Sequence, residues 1–257
     1  MITKEKTTDW KDLQNKVGEV LKNCGFNVEI EKTLQTVRGT VEVDVYAEEN
    51  INGRKYSIIC ECKRWNSDIP QEKIYALRSV LEDSGCNKGY FITTSRYQTG
   101  AKQTAESTNI VLLNWDEFQL EFLKSWYENY FEKKLYVSTC NINKCDLDEY
   151  FVGWIDTLER EIKGEILATR NVVQEIESVI SSFGFKANKM INQNANLPAL
   201  PLSENYYKEH LEEWEQPLLP KELIEEQYYI EFLNKLVAFT DESVNIYLEM
   251  KNKYYKE

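Results

Sequence analysis

At 257 residues, with 42% hydrophobic side chains and a net charge of −12, the chain has room for one large or two small domains and enough apolar matter for a packed core, which argues against wholesale disorder. No apolar run approaches the roughly 20 residues that span a bilayer, and Met1 to Lys6 lacks the apolar centre of a secretory leader, so a cytoplasmic protein is expected. The lone histidine, His210, argues against Ser-His-Asp hydrolysis and two-histidine metal sites; it lies in a charged helical run and reads as a surface residue.

Residues 9–24 place Trp10, Leu13, Val17, Val20, Leu21 and Cys24 on one helical stripe, with Thr8 or Asp9 to cap its start and Gly25 its end. A strand follows over 26–34, with a turn over 36–39. Two short β-branched strands come next, Val41 to Ala47 and Ile58 to Arg64, joined by the turn-forming loop Glu48 to Gly53. Pro70 opens a helix over about 70–83, its core side formed by Ile74, Leu77 and Leu81. A strand over 89–94, a helix to about Thr108 and a strand over 109–113 complete the order helix, three-strand meander, helix, strand, helix, strand. A mixed sheet flanked by helices buries these faces most simply.

The chemistry concentrates in the two short strands, because each carries acids where a buried strand should be apolar. Alternate side chains share a face. Val41, Val43 and Val45 are therefore expected on one side of the first strand, and Glu42, Asp44 and Tyr46 on the other. In the second strand Glu61 and Lys63 share a face, with Cys60 and Cys62 buried opposite. The hairpin can thus gather Asp44, Glu61 and Lys63 on one surface. Two carboxylates suit Mg²⁺, which takes one or two protein oxygens and leaves other positions to water and phosphate; a lysine beside them can orient a water or stabilise developing charge. A solvent-facing strand pair with an incidental Glu–Lys contact would give the same spacing.

An acid in one strand and Glu-Xaa-Lys in the next resembles the PD-(D/E)xK nucleases. The flanks resemble more narrowly the Mrr-type restriction endonucleases: Leu13 to Phe26, Val43 to Ala47, Glu61 to Trp65 and Gly89 to Ser95, in the family's order over the first half of the chain. The resemblance implies metal-dependent DNA cleavage, with Asp44 and Glu61 as ligands of Mg²⁺ or Mn²⁺, the Cys62 carbonyl as a further ligand, and Lys63 as the catalytic lysine. Gln14 stands where the Mrr pattern usually has a glutamate, which makes Glu19 a substitute to consider. Val41-Glu42 stands where the family has a glycine pair, with only Gly39 nearby, and Glu42 becomes an alternative ligand. Gln71 can face the metal site, as a glutamine does in some such nucleases, or solvent. Thr93, Thr94 and Ser95 either hold phosphate or cap a strand end.

Charge is uneven. Residues 1–134 sum to about −2 and the remainder to about −10, while 51–100 is locally basic, with Arg54, Lys55, Lys63, Arg64, Lys73, Arg78, Lys88 and Arg96. DNA binding rests on phosphate contacts, and Arg64, Lys73 and Arg96 are the candidates. The whole-chain field opposes DNA, which points to affinity gained through homo-oligomerisation or a partner protein. The six cysteines carry no export signal to accompany them and read as reduced thiols; Cys140 and Cys145 lack the companions of a zinc site.

From about 115 the chain turns aromatic and helical. Phe118, Phe122, Trp126, Tyr130 and Phe131 read as packing residues. Residues 146–183 form a long amphipathic stretch with breaks conceivable at Gly153 or Gly164, 188–203 a Pro-containing linker, and 204–255 helices interrupted around Pro217 to Pro220. The acidic surface, including the run ending at Glu215, fits a solvated face, a basic partner or a DNA mimic. The expectation is an α/β restriction-endonuclease-like domain over 1–125 and an all-α domain over 126–257, acting as a DNA endonuclease in restriction or anti-phage defence. The alternatives are a silent nuclease-like scaffold that binds nucleic acid or a partner, and a structure-specific repair nuclease.

Overall fold

The computed structural model describes residues 1–145, 155–184, 196–210 and 216–254. The chain divides into two compact units, Met1–Tyr130 and Phe131–Glu257.

In the first unit, α1 (Trp10–Asn23) starts where the Asp9 side chain accepts from the Asp12 amide, and it ends before Gly25 at φ 102°. The five-stranded sheet runs β1 (Asn27–Thr36), β2 (Gly39–Ile51), β3 (Arg54–Lys63), β4 (Lys88–Thr93), β5 (Ile110–Asn114) in that spatial order. The first three strands are antiparallel and the last three parallel. α2 (Gln71–Ser84) and α3 (Thr99–Ala105) cover one face; Ile74, Leu77, Leu81 and Ala101 pack there against Leu34, Tyr46, Ile59 and Phe91. On the other face lie α1 and α4 (Trp115–Trp126), where Tyr90 packs its ring against Phe118 and Phe122. The mixed sheet between helices matches the expectation from sequence. α1 sits close because Gly18 offers no side chain: a Cβ there would lie 2.5 Å from Ile30 Cδ1.

Two local expectations differ. The residues from Glu48 continue β2 to Ile51 rather than forming a loop, and the reversal needs only Asn52 and Gly53, both at positive φ. Such a two-residue turn follows the twist of its strands. α3 stops at Ala105, three residues short, and Ser107 at φ 59° turns the chain into β5.

In the second unit, α5 (Glu132–Ile142), α6 (Arg160–Ser182) and a long helix α9 (Tyr229–Tyr254) pack on one another, around the rings of Phe131, Phe183 and Phe232. Two one-turn helices, α7 (Tyr206–Glu209) and α8 (Lys221–Ile224), lie between α6 and α9 in the chain. The expected aromatic packing is present, Phe118, Phe122, Trp126 and Phe131 all being buried. Gly164 does not break α6, whereas Gly153 and the run ending at Glu215 lie outside the described residues. His210 is half-buried rather than on the open surface, stacked on Tyr206 with Nδ1 2.8 Å from the Tyr206 carbonyl.

Glu175, in α6, is fully buried. Its carboxylate accepts from the Tyr207 hydroxyl and from the Leu218 amide, the latter at 2.9 Å to Oε2, and so ties α7 and the segment before α8 to α6. Removing it would leave the buried Tyr207 hydroxyl without this partner and free the Leu218 amide. Glu175→Ala is expected to destabilise this unit by about 2–4 kcal/mol, measured by urea denaturation; a loss below about 0.5 kcal/mol would contradict that role.

Candidate active site

The β2–β3 ladder runs from Ile51↔Arg54 to Val45↔Cys60 and stops. Beyond it β2 pairs only with β1, and Glu61, Cys62 and Lys63 pair only with Phe91, Ile92 and Thr93 of β4. The two strands fork. The next pair in their register would be Asp44 and Glu61, so these two carboxylates face each other across the opening.

Forking leaves the inward backbone groups of β3 without a strand partner, and buried amides need one. Asp44 supplies it: Oδ2 accepts from the Cys62 amide at 2.7 Å. The same oxygen lies 3.2 Å from Lys63 Nζ, which is 2.6 Å from Glu61 Oε1. Asp44, Glu61 and Lys63 therefore converge, as the alternation argument expects. The route differs from strict alternation, however. Val41 and Val43 pack in the same cluster as Tyr46, and Val45 is not in it, so the phase of β2 breaks around Asp44. β1 breaks with it. Val28 and Ile30 point at Gly18 of α1, yet Leu34 belongs to the opposite cluster and Lys32 lies 3.7 Å from the centre of the Tyr46 ring. Between them Glu31, whose partner in the register would be Asp44, sits at φ 54°, a region uncommon for a non-glycine residue.

All three side chains are mostly buried, with exposures of 19% for Asp44, 29% for Glu61 and 24% for Lys63. Burial, then the Asp44 charge, hold the Glu61 carboxyl above the ordinary glutamate value, against the pull of Lys63 and Lys73. For Lys63, burial works to lower the ammonium, but the hydrogen bond and charges of Glu61 and Asp44 prevail and hold it above the usual lysine value. Two carboxylates and one ammonium sum to −1 in a partly desolvated fork, a setting that attracts a cation.

Other expected site residues are placed as follows. Cys60 and Cys62 are buried, opposite Glu61 in the pleat, and burial pushes both thiols up. Both Cys62 polar backbone groups share one strand edge, so its carbonyl faces the side on which Asp44 meets its amide. Gln14 is 1% exposed, and its Oε1 has no hydrogen-bond partner among the described residues. Glu19 stands five positions along α1 on the exposed side and cannot replace Gln14 in direction. Glu42 is exposed and pairs with Thr33 of β1. Gln71 is exposed, with its side chain against Gly100. Among the described residues, no hydrogen bond joins Gln14, Glu19, Glu42 or Gln71 to the three converging groups. Lys73 is seated 5.5 Å from the centre of the Trp65 ring, a role for Trp65 that only the fold discloses. Arg64 and Arg96 are exposed beyond the ends of β3 and β4. Thr93 is buried and serves the strand end, its hydroxyl donating to the Lys63 carbonyl at 2.8 Å.

The donor set suits a hard cation. Asp44, Glu61 and the Cys62 carbonyl offer oxygen alone, and one or two carboxylates suffice for Mg²⁺ when water and phosphate complete the shell. No group of three or more His, Cys, Asp or Glu side chains with metal-site geometry occurs among the described residues, so any metal held here would rely on that mixed set.

A mixed sheet between helices, bearing an aspartate and a Glu-Xaa-Lys at a strand fork, places this unit among the PD-(D/E)xK nucleases. Residues 5–120 match the family model described as a restriction endonuclease, the Mrr catalytic domain, a member of the PD-(D/E)xK superfamily. The family implies a nuclease with DNA as substrate, and its superfamily typically uses Mg²⁺. Among solved structures, the crystal structure of a protein of unknown function, AF1548, is similar at 22% identity and a TM-score of 0.36, covering 45% of this chain and 63% of that one. No curated protein matches.

The raised Glu61 carboxyl carries a stability consequence. A carboxyl held above its unfolded value binds its proton more tightly in the folded state, so this contribution to stability falls as pH rises through that range. At pH 7 in EDTA the charge on Glu61 therefore opposes folding, and Glu61→Gln should raise the Tm of the first unit by roughly 2–4 °C. The gain should shrink as the pH is lowered. A Tm lowered by the substitution at pH 7 would contradict it.

Proposed function

We propose that the N-terminal unit is a metal-dependent DNA endonuclease that hydrolyses phosphodiester bonds, and that the acidic second unit, Phe131–Glu257, regulates it or mediates assembly with a second copy or a partner protein. The setting that fits is a restriction or anti-phage system. The observation that carries this reading is the convergence of Asp44, Glu61 and Lys63 at the fork of β2 and β3.

Asp44, Glu61 and the Cys62 carbonyl would hold Mg²⁺ or Mn²⁺. Such an ion, when bound, supplies Lewis acidity and lowers the pKa of a bound water. Lys63 takes a definite part in this arrangement. Its ammonium is held above the usual lysine value, so at neutral pH it carries its proton and is a poor base. It orients water or phosphate by donation and offsets the charge that develops on the phosphoryl oxygens. Thr93 fixes the Lys63 backbone through its carbonyl, which limits how far that ammonium can wander. Arg64, Lys73 and Arg96 approach neighbouring phosphates, with Lys73 braced by Trp65. The first unit is close to neutral, so the acidic charge that opposes DNA belongs mostly to the other unit.

Purified full-length protein is expected to nick or linearise plasmid DNA with Mg²⁺ or Mn²⁺ and to leave it intact in EDTA. Asp44→Asn and Lys63→Ala should each lower the rate by about 10²-fold or more, with circular dichroism spectra like that of the parent. Cleavage that survives both substitutions would overturn the assignment.

A further inference from the structure

β3, β4 and β5 are parallel, so the chain leaves all three at the same edge of the sheet. The segments that follow line an open cleft of about 820 Å³, formed by residues 64–66 after β3, 94–96 after β4 and 114–116 at the end of β5, with Lys6 and Thr7 of the N-terminal segment. The cleft adjoins the active site directly. Thr93, also in its wall, holds the Lys63 carbonyl, and Arg64 and Trp65 follow Lys63 in sequence. The volume is that of a small-molecule site.

Its lining is chemically mixed. Lys6, Arg64 and Arg96 form no salt bridge among the described residues, and neither do Asp68 and Asp116. Arg64 Nε donates to the Thr7 carbonyl at 3.3 Å, which leaves its other N–H groups, with Lys6 and Arg96, to suit phosphate. The two carboxylates do not: beside a track of phosphates alone they would only repel. They suit the amino groups of a nucleobase, which donate to acidic side chains. Trp65, half-buried at the cleft wall with Lys73 5.5 Å from its ring centre, brings to the cleft an indole against which a base can stack. A base inside an intact duplex presents neither its face nor its Watson–Crick edge. Resting on the nuclease reading above, we infer that this cleft receives one unpaired nucleotide of the DNA strand next to the scissile phosphate, with its phosphate on Arg64 and Arg96 and its base against Trp65. The preferred substrate is then DNA with an unpaired nucleotide at the cleavage point, such as a single strand, a gap edge or a mismatch.

The test is fluorescence anisotropy in EDTA, with the full chain and labelled DNA of one sequence, either fully paired or carrying a single unpaired nucleotide. The unpaired form should bind about tenfold more tightly. That advantage should fall to about twofold in Trp65→Ala and persist in Trp65→Phe. Arg96→Gln, at an exposed position, should weaken both forms and lower the salt slope by about one. Because Trp65 also packs on the core, 2-aminopurine at the unpaired position gives a reading on the unmodified protein: stacking in the cleft should quench its emission. Equal affinity for paired and unpaired DNA, or emission unchanged on binding, would overturn the proposal. Metal-dependent cleavage of intact duplex without that preference would overturn it and leave the nuclease reading standing. The preference and quenching without cleavage of any DNA would support the cleft and sink the nuclease reading.

Discussion

The parting of β2 from β3 beyond Val45 and Cys60 is the constraint on which the candidate site depends. Two paired strands satisfy each other's backbone groups, and a fork withdraws that satisfaction on both sides. Asp44 restores it for the Cys62 amide with a side-chain oxygen, and in doing so its carboxylate is turned across the opening toward β3. The same oxygen then meets Lys63, and Lys63 meets Glu61. A backbone requirement and a chemical one are met by a single carboxylate, so the position of Asp44 is set by the sheet and not by the other charged groups alone.

That economy leaves an electrostatic tension. Both carboxylates are largely withdrawn from water, and one ammonium cannot neutralise two. The tension falls on Glu61, whose carboxyl is raised by burial and by Asp44, while Lys63 is held charged between them. A fork optimised only for stability would carry an uncharged side chain at 61. Retaining a costly carboxylate there makes sense if something positively charged joins the set during the reaction. Here the energetics and the functional reading agree, and neither depends on the other.

Much of the first unit was legible because its signals are local. The stripe of α1, Pro70 before α2 and the alternating hydrophobic strands gave the element order, and the Asp44 and Glu61-Xaa-Lys63 spacing gave the convergence of the three side chains. The phase break was not legible. Glu31 adopts φ 54° without being glycine, asparagine or aspartate, so no residue type announced it, and alternation put Val43 and Tyr46 on opposite faces although they pack together. The convergence was still found, because the fork acts on backbone pairing and Asp44 reaches sideways to it. In contrast, Asn52-Gly53 is a strong two-residue hairpin signal, but the acids before it disguise the strand. The C-terminal unit gave up its helices but not the role of Glu175, since a buried carboxylate in an acidic helix looks in sequence like any solvated one.

The mixed character of the sheet explains why one strand gathers so much. β3 has an antiparallel neighbour on one side and a parallel neighbour on the other. The antiparallel side can fork, because β2 runs on past the fork in company with β1, and the fork exposes facing acids. The parallel side cannot offer that, but it aligns the exits of β3, β4 and β5 into a cleft. Glu61 and Lys63 stand where these two geometries meet, and Arg64 and Trp65 carry the chain from one into the other. An all-antiparallel meander would have supplied the acids without the cleft, and an all-parallel sheet the cleft without the facing acids. The change of strand direction at β3 is therefore what puts a cation-attracting fork within one or two residues of a surface able to hold a nucleotide.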